Sequence, residues 1–243
     1  MESTPLPFPF PLDLAHCNRL REEILKELLQ MDPAFASIPV KSISPSTCSA
    51  MLTLYDQHFL CGFLKKSYTT LDVTLSSRLV RSAGKFIYAK NPHKRLDHAE
   101  IRMSSDFLYR LTDGPFSLNG LSASTPQEAF LIVFEHELCH ALEVVLFGAT
   151  GHSKRFLSLA NGLFSHTDTK HSLPTRSHEA SDLGVSIGSR VSFLYKGRQL
   201  TGIVSYIGKT ATVFVPSTLG TYRDRKGMRY AKYRVPLSIL KEK

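Results

Sequence analysis

Residues Glu135–Phe156 read EHELCHALEVVLFGATGHSKRF and hold three of the chain's ten histidines, directly after the apolar run FLIVF. His136, Glu137 and His140 form H-E-x-x-H. On a helix, positions i and i+4 share a face, so both imidazoles can reach one metal ion. Glu137 stands beside them, suited to holding and deprotonating a water rather than ligating. FLIVF before the motif and ALEVVLF after it predict a buried helix, where unpaired His and Glu side chains are costly. A metal gives these polar groups a reason to be there. Thr125 as N-cap, Pro126 at the first helical position and Glu128 in the capping-box position predict the start of the helix. Gly148, with Gly151 close behind, predicts its end. Cys139 lies about 100° around the helix from His140 and reads as a core thiol.

A catalytic zinc usually has three protein ligands and keeps a fourth position open. The metzincin pattern places a glycine and then a histidine further along the same run. Glu143 and Leu146 occupy those positions here, so that class is excluded. Glu143, one turn beyond His140, is a possible ligand but reads better as a residue behind the ligands or facing solvent. His152 follows the glycine break, where the chain can reverse and return a histidine toward the first two. His166, Asp168 and His171 in SHTDTKH are further candidates, as is Glu179 under a gluzincin reading.

Elsewhere, Leu20, Ile24, Leu25, Leu28 and Leu29 mark an amphipathic helix stopped by Pro33. A Ser/Thr/Pro-rich connector, IPVKSISPSTCS, precedes a second predicted helix, AMLTLYDQHFLCGFLKK. LDVTLSSRLV and AGKFIYAK read as β runs either side of a glycine-containing turn, NPHKRLDH as a polar loop, and AEIRMSS as a strand. That strand is a candidate platform for an extended substrate. Cys17, Cys48, Cys61 and Cys139 are far apart, without a C-x-x-C pair, which argues against a disulfide framework or zinc ribbon and for a reducing compartment. No run approaches the roughly 18 apolar residues of a membrane helix. The opening MESTPLPFPFPLDL is proline-broken, lacks a basic region, and reads as an arm that packs its phenylalanines rather than as a secretion signal. The expected location is therefore intracellular, in cytoplasm, nucleoid or nucleus.

The stretch FEHELCHALEVVLFGATGHSKRF resembles the SprT-like zinc metallopeptidase family, which includes the Spartan proteases of DNA–protein crosslink repair. In that family the H-E-x-x-H helix is followed by a short glycine-containing turn and G-H-x-x-x-F, matched by Gly151, His152 and Phe156. LYDQHFLCGFL resembles the family's first helix, and AGKFIY and AEIRMSS its strands. The resemblance covers roughly residues 48–172. It implies one zinc ion held by His136, His140 and His152, Glu137 as the catalytic glutamate, and peptide hydrolysis of proteins on or crosslinked to DNA.

Charge separates the last quarter from the rest. Residues 185–243 carry 12 Lys and Arg against 2 Asp and Glu, whereas residues 1–184 carry 18 against 19. Family members often add a zinc ribbon after the protease domain, but no cysteine follows Cys139. The β runs SRVSFLYKG, QLTGIVSYIGK, TATVFVPS and YAKYRVPLSIL, punctuated by Gly197, Gly202, Gly208 and Gly220, resemble a small SH3-like barrel. Tyr195, Tyr206, Tyr222, Tyr230 and Tyr233 alternate with cations, a pattern that suits stacking on bases and contact with phosphates. Arg190, Lys196, Arg198, Lys209, Arg223, Arg225, Lys226, Arg229, Lys232 and Arg234 are the candidate DNA contacts. Peptide binding by the barrel is the competing use.

The expected architecture is α+β: an N-terminal arm and helix over 1–47, a zincin-like SprT metallopeptidase domain with a small mixed sheet over 48–175, and a basic SH3-like β-barrel over 185–243. Two rival functions stay open: a general intracellular protease whose barrel recruits proteins, and a non-catalytic nucleic-acid-binding protein with purely structural zinc.

Overall fold

The computed structural model describes residues 6–89, 98–112, 114–170, 173 and 176–243. The chain divides into two compact units, Met1–Leu173 and Pro174–Lys243.

In the first unit, helix α1 (Leu14–Met31) starts where the Asp13 side chain accepts the His16 N–H at 2.8 Å, and buries Leu20, Ile24 and Leu28. Before it, Phe8 is buried, and the Leu12 N–H donates to the Gly162 carbonyl at 2.7 Å, so this arm packs onto the unit. Helix α2 (Pro45–Leu60) begins inside the predicted connector, because Ser44 caps it and Pro45 suits its first turn. The helix predicted over Ala50–Lys66 breaks at Cys61 and Gly62, which take positive φ angles of 53° and 75°. The Asp56 carboxylate accepts the N–H groups of Leu64 and Lys65 and so starts α3 (Phe63–Ser67).

Strands β1 (Thr70–Ser76), β2 (Gly84–Tyr88) and β3 (His98–Ser104) form one sheet in the order β1-β3-β2. β3 runs parallel to β1 and antiparallel to β2. The two β runs expected on either side of a turn are therefore not neighbours. β3 separates them because its Ala99, Ile101 and Met103 are the residues the core buries. Apart from His98, which opens β3, the polar loop NPHKRLDH lies outside the described residues.

A short helix α4 (Ser105–Leu108) leads to the hairpin of β4 (Phe116–Leu118) and β5 (Leu121–Ala123). Asn119 and Gly120 at its tip have φ of 51° and 81°, the two left-handed residues of a tight primed turn. Helices α5 (Pro126–Phe147) and α6 (Lys154–Phe164) complete the unit.

The core closes around a charge. Glu135 on α5 is fully buried and Arg21 on α1 is 8% exposed. The guanidinium donates to both Glu135 oxygens at 2.7 and 2.9 Å. Tyr55 of α2 donates to the same carboxylate at 2.7 Å, and His166 Nε2 meets it at 2.8 Å. Burial alone would raise the Glu135 carboxyl, but the charge of Arg21 and the hydrogen bonds of His166 and Arg21 hold it down at about 2.

The second unit has α7 (Arg176–Asp182), β6 (Arg190–Tyr195), β7 (Arg198–Ile207), β8 (Ala211–Pro216), β9 (Tyr222–Arg223), β10 (Arg229–Val235) and β11 (Lys241–Glu242). A 3-10 turn, Leu237–Ile239, precedes the last strand. The strands form one antiparallel sheet in the order β11-β6-β7-β8-β10-β9. Among the described residues β9 and β11 do not pair, so the sheet is open rather than a closed barrel. Val191, Val204, Val213 and Val235 pack in its core. No described helix is long and apolar enough to cross a membrane.

Because the folded carboxyl of Glu135 titrates below an unfolded glutamate at about 4.3, its stabilisation is complete above that pH and is lost as pH falls toward 2. Glu135→Gln, which leaves Arg21 buried without its anion, is expected to cost about 3–5 kcal/mol in denaturant unfolding at neutral pH. It should also flatten the acid limb between about pH 5 and pH 2.

Candidate active site

Helix α5 forms as its caps dictate. The Thr125 hydroxyl accepts the Glu128 N–H, the Glu128 carboxylate accepts the Ser124 N–H at 2.6 Å, and Gly148 ends the helix with φ 71°. Its apolar residues are buried nearly all round, Leu131, Phe134, Leu138, Cys139 and Leu142 among them. Burial pushes the Cys139 thiol well up, in keeping with a core thiol.

The structure brings His136, His140 and His152 together, with one nitrogen from each lying within 4.8 Å of the others. His136 Nε2 and His152 Nε2 are 2.9 Å apart. The Phe156 ring forms the floor of the cluster, with centroids 4.8, 4.5 and 5.1 Å from the three imidazoles.

This donor set fits a divalent metal. Nitrogens about 2.0–2.1 Å from a tetrahedral ion stand roughly 3.3 Å apart, and the observed spacings bracket that value. Burial, with His152 adding to it, holds His140 down at about 4, so this imidazole is neutral and keeps a lone pair near pH 7. His140 Nδ1 lies 2.7 Å from the Thr150 hydroxyl, which itself donates to Glu143 Oε2 at 2.9 Å. The hydroxyl's single hydrogen is committed to Glu143, so Nδ1 carries the ring proton and Nε2 is left to ligate.

Glu137 is 6% exposed, and burial pushes its carboxyl up to about 7, partly offset by the Phe86 backbone N–H it accepts. Gly84 lies over it: a Cβ there would meet Glu137 Cγ at 2.6 Å and Oε1 at 2.7 Å. A cleft of about 400 Å³ opens in front, lined by Ser82–Phe86, the three histidines, Glu137, Thr150 and Asn119.

The other proposed ligands lie elsewhere or do other work. Glu143 is buried and binds the turn after the helix. Besides the Thr150 hydroxyl it accepts the Gly151 N–H at 3.0 Å and the Ser153 hydroxyl at 3.3 Å. His166 is occupied with Glu135. Asp168 sits on the β4–β5 turn, its N–H donating to the Asn119 carbonyl. His171 and the side chain of Glu179 lie outside the described residues. AEIRMSS cannot take an extended substrate by strand addition as expected, because β3 is paired on both sides. The Phe86 N–H reaches Glu137, so the edge of β2 that β3 leaves unpaired runs along the cleft. Gly84, Phe86 and Thr150 were not anticipated from sequence: Gly84 and Phe86 meet Glu137 from a strand far away in the chain, and Thr150 reaches His140 and Glu143 only through the fold of the turn after α5.

A model of the SprT-like family matches residues 48–178, just over half of the chain. The chain belongs to the SprT-like family. No curated protein and no solved structure matches it. The SprT-like family is associated with zinc-dependent peptidase activity, and the SprT-like match spans every residue of the histidine cluster, Glu137 and β2.

The ten candidate DNA-contacting cations are all exposed. Register aligns Arg190, Ile203, Phe214 and Lys232 across four strands. Phe214 packs against Tyr222 and Tyr230 at 5.2 and 6.2 Å, and Lys232 Nζ stands 5.5 Å from the Tyr222 ring. Arg223, Arg225, Lys226 and Arg229 gather at the β9–β10 hairpin, whereas Lys196 and Arg198 flank the β6–β7 turn. Tyr233 packs half-buried against Phe193 and Tyr195, on the core side.

Gly84→Ala is expected to force Glu137 or β2 to shift, at about 1–3 kcal/mol in denaturant unfolding. Gly151→Ala, with nothing within 4 Å of the added methyl, should stay within about 0.5 kcal/mol of wild type.

Proposed function

We propose that the chain is a zinc-dependent endopeptidase acting on DNA-associated or DNA-crosslinked proteins, with a basic C-terminal unit that binds DNA. The observation that carries the catalytic half is the buried Glu137 beside three converging imidazoles, at the wall of an open cleft. His136, His140 and His152 would hold the zinc. Bound there, zinc would acidify water and polarise a carbonyl. Glu137, with its carboxyl near 7, is matched to taking a proton from the attacking water and returning it to the leaving amine. Among the described residues no strand pairs with the outer edge of β2, so backbone groups there beside the Phe86 N–H could receive an extended peptide, which would lay the scissile bond along the cleft. His152 is exposed, and no fourth His, Cys, Asp or Glu joins the cluster among the described residues, which favours an enzyme over a purely structural zinc site.

The DNA-binding half rests on the cationic excess of residues 185–243 and on the exposed face bearing Phe214, Tyr222, Tyr230 and Lys232. Phosphate contact by such a surface is sequence-independent and falls steeply with salt. An SH3-like reading of the unit is supported by the return of β11, through the 3-10 turn, to pair with the first strand β6. Such a wrap begins to close a small meander on itself.

Purified protein should contain about one zinc per chain, and His152→Ala should weaken its retention. Glu137→Gln should keep zinc yet lose cleavage of a protein substrate, assayed with and without DNA; cleavage by that variant would sink the mechanism. DNA binding by the full chain should weaken with rising salt, and an absence of binding at low salt would remove the DNA half alone.

A further inference from the structure

We infer that Glu143 is a positioning residue for the metal site: it fixes both the tautomer of His140 and the turn that delivers His152. The proposal rests on the zinc-site reading and adds to it a residue that touches neither metal nor substrate.

Glu143 sits three residues beyond His140 on α5, almost one turn along, and is 1% exposed. A buried carboxylate needs its oxygens satisfied, and three donors from one short segment satisfy them. Thr150 and Gly151 converge on Oε2, and Ser153 reaches Oε1. Ser153 also caps α6 by accepting the Phe156 N–H. One side chain thereby ties the residues on either side of His152, and the start of the helix that carries the Phe156 floor, to the helix bearing the other two histidines.

The second effect passes through Thr150. Without an acceptor at Glu143, the Thr150 hydroxyl is free to turn and donate its hydrogen to His140 Nδ1. The ring proton would then move to Nε2, the nitrogen that must face the metal. The carboxylate removes that alternative. Both effects act on assembly of the site, so they show in metal affinity before any turnover is measured.

Zinc affinity is to be measured by chelator competition on the full chain, with imidazole ¹⁵N shifts of the metal-free protein reporting the His140 tautomer. Glu143→Leu, which leaves no acceptor for Thr150, and Thr150→Val are expected to weaken zinc binding about 10–100-fold, with far-UV circular dichroism unchanged. Thr150→Ser, which keeps the hydroxyl, should bind as wild type does. In Thr150→Val the His140 shifts should move from the Nδ1–H pattern toward a mixture. Wild-type zinc affinity and an unchanged His140 tautomer in both Glu143→Leu and Thr150→Val would overturn the proposal. Failure of the wild type itself to bind zinc would instead remove the metal reading, and the tautomer measurement would still decide whether Glu143 holds His140.

Discussion

The buried ion pair between Arg21 and Glu135 is the constraint around which the first unit is arranged. Removing two charges from water is costly, and mutual attraction repays that cost only with good geometry and full hydrogen bonding. Here the guanidinium is bidentate, and Tyr55 and His166 complete the carboxylate's partners. The main return is orientation rather than net stability. Neighbouring side chains on a helix diverge by about 100°. Anchoring Glu135 toward α1, α2 and the segment after α6 therefore turns His136 and His140 outward, toward the cleft. A rotation of α5 that buried the histidines would expose the Glu135 anion to a different set of neighbours and strand Arg21.

Four glutamates on this one helix show how environment divides labour among identical side chains. Glu128 accepts a backbone N–H at the helix start. Glu135 is held at about 2 by a buried cation, while Glu137, two residues on, is pushed up to about 7 by burial against β2. Glu143 is spent on the turn that returns His152. Glu135 and Glu137 differ because they face opposite sides of α5: one side supplies Arg21, the other a strand edge with a single N–H. A carboxyl held at about 2 and one pushed up to about 7 can then coexist within a turn of each other.

What could be read from sequence is what is local. Thr125, Pro126 and Gly148 bound α5 as their backbone preferences dictate, and the spacing of His136 and His140 put both on one face. The glycine break before His152 allowed the reversal that the structure contains. The sheet order was not legible, because whether β3 is central or an edge depends on pairings with segments up to 28 residues away, as between Thr70 and His98. Arg21 and Tyr55 were invisible for the same reason, lying 114 and 80 residues from Glu135. Asn119-Gly120 is different: the dipeptide is a strong hairpin signal, but its flanking strands have only three residues each, too few to show alternation.

In the basic unit, alternation of rings and cations held two outcomes that sequence cannot separate. Side chains along a strand alternate between faces, so a tyrosine belongs to core or surface according to its register alone. β10 puts Tyr233 with the core and Tyr230 beside Tyr222 and Phe214 on the other face. The irregularity between Val204 and Tyr206 in β7 shifts that register partway along the strand, so counting by twos from one end misplaces the residues on its far side. The charge excess was plain from composition, but its usefulness depends on this sorting. The cation of Lys232 acquires an aromatic platform only because Phe214 and Tyr222 fall on its side of the sheet.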